Sequence, residues 1–289
     1  MPINELEQHP FLNYVDFSKS PYNSFEKLII GTFPVYHITN TIYPGNEIQQ
    51  RFNPQEAYMK FFYGSKKNKF WEWISTIFEV ANPTRENNLE NREHASKSIL
   101  DENKILIQDV IESTNRENYS AKDSDLWKQS DDSYLNLNRS LNHDMINLLN
   151  QCKKIKFLYF TSQKAFDWFS QIIGGDLVIN DSFLENKNRI SMSICIGLKN
   201  YTAFFLPSPS SNGSRRIPFT DNNRLQTFVN YLKANHPVFL NEIENVPKLN
   251  RTRLQNQMLT EFRNNFIVEC WRQAIVHCNP YYDGNFVNQ

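Results

Sequence analysis

The chain has 289 residues, 40% hydrophobic and 14% aromatic, with 31 basic and 31 acidic side chains and zero formal net charge. That apolar content excludes a disordered or collagen-like polypeptide, and the length can bury a large core as one domain with or without an extension. The charge balance weighs against a broadly basic nucleic-acid binder but leaves room for a local basic cleft.

Cys152, Cys195, Cys270 and Cys278 are scattered, without the spacing of a zinc ribbon, a redox CxxC pair or an iron–sulfur run. Buried free thiols of a reducing compartment are therefore expected. The opening MPINELEQHPF carries Glu5 and Glu7 and no apolar run. Neither a secretory signal nor a membrane span is expected, and the protein reads as a cytoplasmic monomer.

In chain order, residues 1–24 read as a polar lead-in. Residues 25–33 (FEKLIIGTF) read as a strand buried on both faces, ended by Gly31 and Pro34. Residues 35–60 form a long irregular segment with a short helical stretch at 55–61. The segment FFYGSKKNKFWEW at 61–73 sets glycine, serine, lysines and an asparagine inside an aromatic frame. Such a frame suits a pocket for a flat ring beside a polyanion. A helix follows over 70–80. Residues 82–103 read as polar surface, 104–108 as a strand, and 111–128 as a polar loop.

A helix is expected at 141–152 and a strand at 155–160. Ser162 is placed to cap a helix over 163–173, which Gly174 and Gly175 end. Two strands at 189–196 and 201–206 meet at a short turn. The second runs into PSPSSNGSRR, and a helix follows over 221–234. Alternating strands and helices imply an α/β sandwich with a mostly parallel sheet. Parallel strands would bring the loops after Phe33, Asp109 and Leu206 to one sheet edge. Residues 237–247 read as a break. An amphipathic helix is expected over 249–278, carrying Arg251, Arg253, Arg263 and Arg272. The expected division is a main domain of residues 1–236 and a helical extension of residues 237–289 packed on it.

Several segments together resemble the uracil-DNA glycosylase superfamily, most closely its hypoxanthine-DNA glycosylase branch. Gly31-Thr32-Phe33-Pro34 stands where that family has its first motif. YGSKKNKFW at 63–71 is similar to its aromatic-small-x-Pro-x-Asn-Arg-Phe-Trp signature. Asp109-Val110, Ser113, Arg116, Ser120, Asp123 and Ser124 resemble a third stretch. FTSQKAFDWF at 160–169 resembles a strand-to-helix segment, and LPSPSSN at 206–212 the phosphate-gripping loop. The resemblance runs in order over residues 25–235 and leaves out the tail.

It implies a three-layer α/β/α sandwich around a four-stranded parallel sheet. It also implies monofunctional excision of a flipped, deaminated or modified base from DNA, with no cofactor and no metal. Tyr63 would stack on the base. Asn68 would orient water or read the base; an asparagine there also serves as a turn or helix cap. Gly31, Thr32, Phe33 and Pro34 would line the pocket, with Phe33 where mismatch-specific relatives carry asparagine. Asp109 would position a water or, more commonly, cap the next loop. Ser162 would contact the base or cap its helix.

Ser208, Ser210, Ser211 and Asn212, with Arg215 and Arg216, would grip phosphates. Lys66 and Lys69, also expected to contact DNA, stand where the family has proline and arginine, changing the pocket wall and its charged edge. A glycosylase-like protein that binds nucleic acid or modified DNA without cleavage is the alternative. An unrelated α/β enzyme acting on a small nucleotide is a third reading.

Overall fold

Strand β1 (Leu6–Gln8) lies within the stretch expected to be a lead-in, and the first buried strand follows as β2 (Lys27–Gly31). The structure, a computed structural model, describes residues 6–14, 24–42, 47–115, 140–179, 191–210 and 222–278. In chain order come β3 (Asn40–Ile42), β4 (Ile48–Gln50), α1 (Phe70–Phe78), α2 (Leu89–Glu102), β5 (Ile105–Asp109), β6 (Ile111–Asn115), β7 (Ser140–Leu141) and α3 (Asp144–Gln151). Then follow β8 (Phe157–Phe160), α4 (Gln163–Ile173), β9 (Leu177–Ile179), β10 (Ser191–Ile196), β11 (Lys199–Phe205), α5 (Asn222–Asn235), α6 (Pro237–Ile243) and α7 (Arg253–Ile275).

The described residues form a mixed α/β fold with two sheets. The larger has six strands in the order β5-β2-β8-β11-β10-β9. Neighbours from β5 to β11 run parallel, whereas β10 and β9 add antiparallel pairs. The expected four-stranded sheet is thus corrected to six strands, because the β10–β11 hairpin and the short β9 extend it. Alternate residues face opposite sides, as strand geometry requires. Ile29, Ile107, Tyr159 and Phe204 pack with α1, α2, α5, α6 and α7. Leu28, Ile30, Leu106, Leu158 and Phe160 pack with α3 and α4.

The second sheet, β4-β3-β1-β6-β7, was not expected. Its pairings are antiparallel. The supposed lead-in supplies its central strand, and the supposed loop after residue 111 supplies β6. Strands of two to five residues carry too little periodicity to announce themselves. The chain passes between the sheets through Val110, whose N–H donates to the Gly31 carbonyl at 3.1 Å.

Three further expectations are corrected. The polar stretch at 82–103 contains helix α2, capped where Asn88 accepts from the Asn91 N–H at 2.7 Å. Its buried stripe is only Ser96, Ile99 and Leu100, too thin to stand out among Asn and Glu. The break after residue 236 holds α6, whose Pro237 starts a helix rather than ending one. The helical stretch expected at 55–61 is instead a set of turns, with Ala57 bridging to Ser65.

Helix α7 buries Phe266, Ile267, Cys270, Trp271, Ala274 and Ile275. The Tyr159 hydroxyl donates to the Ala274 carbonyl at 3.0 Å. Arg272 pairs with Glu269 at 2.8 Å and donates to the Thr76 carbonyl of α1 at 3.5 Å, while Arg251, just ahead of the helix, donates to the Val246 carbonyl at 3.2 Å. Among the described residues, no helix is long and apolar enough to cross a membrane.

Candidate active site

Because β5, β2, β8 and β11 run in one direction, the segments leaving them meet at one sheet edge, where open α/β sheets place ligands. Thr32, Phe33 and Pro34 follow β2, and Asp109 ends β5. Thr161 and Ser162 follow β8, while Ser208 to Ser210 follow β11. With Tyr63, Ser65 and Asn68, they line a cleft of about 620 Å³ including its open mouth.

The aromatic segment forms one wall. Gly64 is required there by close packing, since a Cβ would meet the Met59 carbonyl oxygen at 2.3 Å. Tyr63 adopts a left-handed backbone, φ 56°, an uncommon state for a bulky residue. Its ring stacks on Phe70 with centroids 4.3 Å apart and planes 20° apart. Trp71 donates its indole N–H to the Phe62 carbonyl at 2.8 Å, fixing the turn against α1.

Asn68 ends the turn. Its Oδ1 accepts from the Phe70 N–H at 2.9 Å, the turn-forming role open to an asparagine at this position. Its Nδ2 has no partner among the described residues. Asn68 also bridges to Ser210 through the backbone, and the Lys69 N–H donates to the Pro209 carbonyl at 2.9 Å. The aromatic wall and the serine-proline loop are therefore stitched together. In that loop Ser208 donates to the Ser210 hydroxyl at 3.1 Å and accepts from the Ser210 N–H at 3.3 Å.

Asp109 forms the floor. It is 5% exposed, and its Oδ2 lies 3.0 Å from Nε2 of His9. The Phe11 N–H donates to His9 Nδ1 at 3.1 Å, which assigns the ring proton to Nε2 and makes His9 the donor to Asp109. The imidazole is enclosed by Phe11, Phe33 and Phe62, with centroids 5.2–5.8 Å away. Strand register delivers it: Gln8 lies opposite Ser113, and the His9 N–H donates to the Glu112 carbonyl at 2.8 Å. Among the described residues no following N–H donates to the carboxylate; the Asp109 backbone carbonyl accepts from Asn142 Nδ2 at 3.0 Å.

Thr32, Phe33, Pro34, Tyr63, Asn68, Asp109, Ser162, Ser208 and Ser210 all line the cleft. Gly31 lies beneath it, where a Cβ would meet Asp109 Oδ1 at 2.2 Å and the Tyr63 hydroxyl at 2.7 Å. The Ser162 hydroxyl accepts from the Ala165 N–H at 3.1 Å, capping α4 while the residue lines the cleft. Lys66 and Lys69 do not line it. Lys66 sits 5.6 Å from the Tyr58 ring centroid, and Lys69 pairs with Glu72 at 2.6 Å.

Ser211, Asn212, Arg215 and Arg216 lie outside the described residues, as do Arg116, Ser120, Asp123 and Ser124. Sequence reasoning missed Ser65 and Thr161 on the cleft wall and His9 beneath it. A histidine in a short polar segment carries no local mark of burial. Among the described residues, no three His, Cys, Asp or Glu side chains are grouped to hold a metal ion.

No family model and no curated protein matches the chain. Among solved structures it is similar to a solution structure of a candidate uracil DNA glycosylase from Methanosarcina acetivorans. The two are 16% identical, and the alignment covers 71% of this chain and 87% of that one with a TM-score of 0.34.

Proposed function

We propose that the protein is a monofunctional DNA glycosylase that hydrolyses the N-glycosidic bond of a deaminated or modified base flipped out of DNA. The observation that carries this reading is the bridge between Asn68 and Ser210. It makes one continuous cleft of an aromatic, amide-bearing wall and a serine-proline loop, the two surfaces needed to hold a base and its flanking phosphates.

Tyr63, backed on one side by Phe70, offers a ring for the extruded base, an interaction of about 1–3 kcal/mol. With Oδ1 committed to Phe70, Asn68 reads the base through Nδ2 as a donor. Its complement is a carbonyl oxygen, which deamination installs in place of an exocyclic amine. The Ser208 and Ser210 hydroxyls suit phosphate oxygens, and the Asn68 Nδ2 donor stabilises charge that develops on the departing base.

The test is incubation of the full chain with single- and double-stranded oligonucleotides carrying uracil, hypoxanthine, xanthine or a bulky modified pyrimidine. Alkaline strand scission then reports abasic sites. Release from at least one substrate and none from unmodified DNA is expected. Salt-dependent binding without release would instead support a non-catalytic DNA-binding protein. Absence of salt-dependent binding would overturn both readings.

A further inference from the structure

We propose that Asp109 is the water-activating carboxylate of this cleft and that His9, carried in by β1, is the residue that positions it. This deepens the glycosylase reading and rests on it. Of the segment after β2, the cleft-lining residues are Thr32, Phe33, Pro34, Val35 and Ile38, none of which carries a carboxylate, amide or imidazole able to take a proton from water. Asp109, at the end of the adjacent strand, is the one carboxylate among the described residues lining the cleft.

Its two oxygens are differentiated. Oδ2 accepts from His9 Nε2 at 3.0 Å, whereas Oδ1 meets no donor among the described residues. Oδ1 lies above Gly31, within 2.2 Å of where a Cβ would stand, so only glycine leaves it room. The His9 ring is itself held twice, by the Phe11 N–H on Nδ1 and by three phenylalanine rings. A fully buried donor fixed in one tautomer holds the carboxylate in a single orientation. That is the support a general base needs to act within hydrogen-bond reach of its water.

In the step, a water proton passes to Asp109 Oδ1 as the water oxygen bonds to C1′ of the flipped nucleotide. The C1′–N bond breaks, its electron pair leaves with the base, and the departing base takes a proton from solvent. Asp109 then returns its proton to solvent. His9 keeps its ring proton throughout.

Single-turnover release from the best substrate tests this, with binding measured on the same DNA carrying a release-resistant 2′-fluoro nucleotide. Asp109→Asn is expected to slow release by about 100-fold or more with little change in Kd. His9→Phe preserves the aromatic packing, removes the donor to Oδ2 and is expected to slow release at unchanged Kd. His9→Gln restores an N–H donor and is expected to recover part of that loss.

Wild-type release with an undiminished Asp109→Asn rate overturns this inference alone. So does a fall in release matched by an equal loss of binding. Absence of wild-type release from every substrate overturns it together with the proposed function. If Asp109→Asn fails to fold, the His9 pair decides: His9→Phe at wild-type rate overturns the inference, and a rate loss relieved in His9→Gln supports it.

Discussion

Trp271 of α7 donates its indole N–H to the Pro207 carbonyl at 3.0 Å, so the C-terminal helix holds the serine-proline loop of the cleft. The same ring meets Phe70 and Trp73 of α1 at centroid distances of 5.7 and 5.8 Å. One fully buried side chain thus supports the loop and the helix behind the stacking tyrosine. Trp271→Phe retains most of the apolar contact but strands the Pro207 carbonyl, and should lower stability by about 1–3 kcal/mol. Denaturant unfolding gives the stability loss, and DNA titration should show weaker binding.

The two ends of the Asn68 amide can be separated. Asn68→Asp retains an acceptor for the Phe70 N–H at the start of α1, where a negative charge contributes about 0.3–1 kcal/mol. It removes the Nδ2 donor. Stability should be kept while base release is lost. Asn68→Ala removes both roles and should also lower stability, by about 1 kcal/mol. Thermal unfolding alongside single-turnover release distinguishes them. Full activity in a folded Asn68→Asp variant would remove Nδ2 from base recognition.

Gly31 is constrained by what lies over it. An added Cβ would stand 2.2 Å from Asp109 Oδ1 and 2.7 Å from the Tyr63 hydroxyl, so Gly31→Ala must displace one of them. The expected destabilisation is about 1–3 kcal/mol. Base release should fall further than global unfolding explains, because the displaced groups are cleft residues. Parallel rate and melting measurements check this.

Tyr63 combines a left-handed backbone with a stacked ring. A non-glycine residue in that conformation costs about 1–2 kcal/mol. Tyr63→Gly should therefore be more stable than Tyr63→Ala. Both should lose about 1–3 kcal/mol of affinity for DNA bearing the target base, with smaller loss on unmodified DNA. Unfolding curves rank the stabilities, and competition binding reads the preference.

Burial pushes the Cys152 thiol up to about 11, with Lys199 drawing it partly back. Near neutral pH the native thiol is overwhelmingly protonated and enclosed, and the thiolate is the reactive form. Cys152 and the buried Cys270 should resist maleimide in the folded protein, while the partly exposed Cys195 and Cys278 react. In denaturant all four should react, as mass spectrometry of alkylated peptides would show.

Unbroken runs such as Leu28-Ile29-Ile30 and the alternation of strand and helix patterns made most of the larger sheet readable from the sequence. Such strands are buried on both faces, and their apolar character is local. Ser162 as a helix cap was readable for the same reason, since donor and acceptor lie three residues apart. The segment from Phe61 to Trp73 could be recognised as a pocket wall because aromatic frame and polar contents are adjacent in the chain.

The second sheet and the cleft floor could not be recognised this way. Leu6-Glu7-Gln8 looks like exposed polar chain. Glu7 is fully buried because Arg51 and Thr39, far along the sequence, supply its ion pair and hydrogen bond. His9 and Asp109 are 100 residues apart, and neither carries a mark of the other. A hydrophobic run declares its own burial. A buried charge is tolerable only when folding brings its partner, so strand pairing put His9 beneath the cleft and gave Asp109 its orientation.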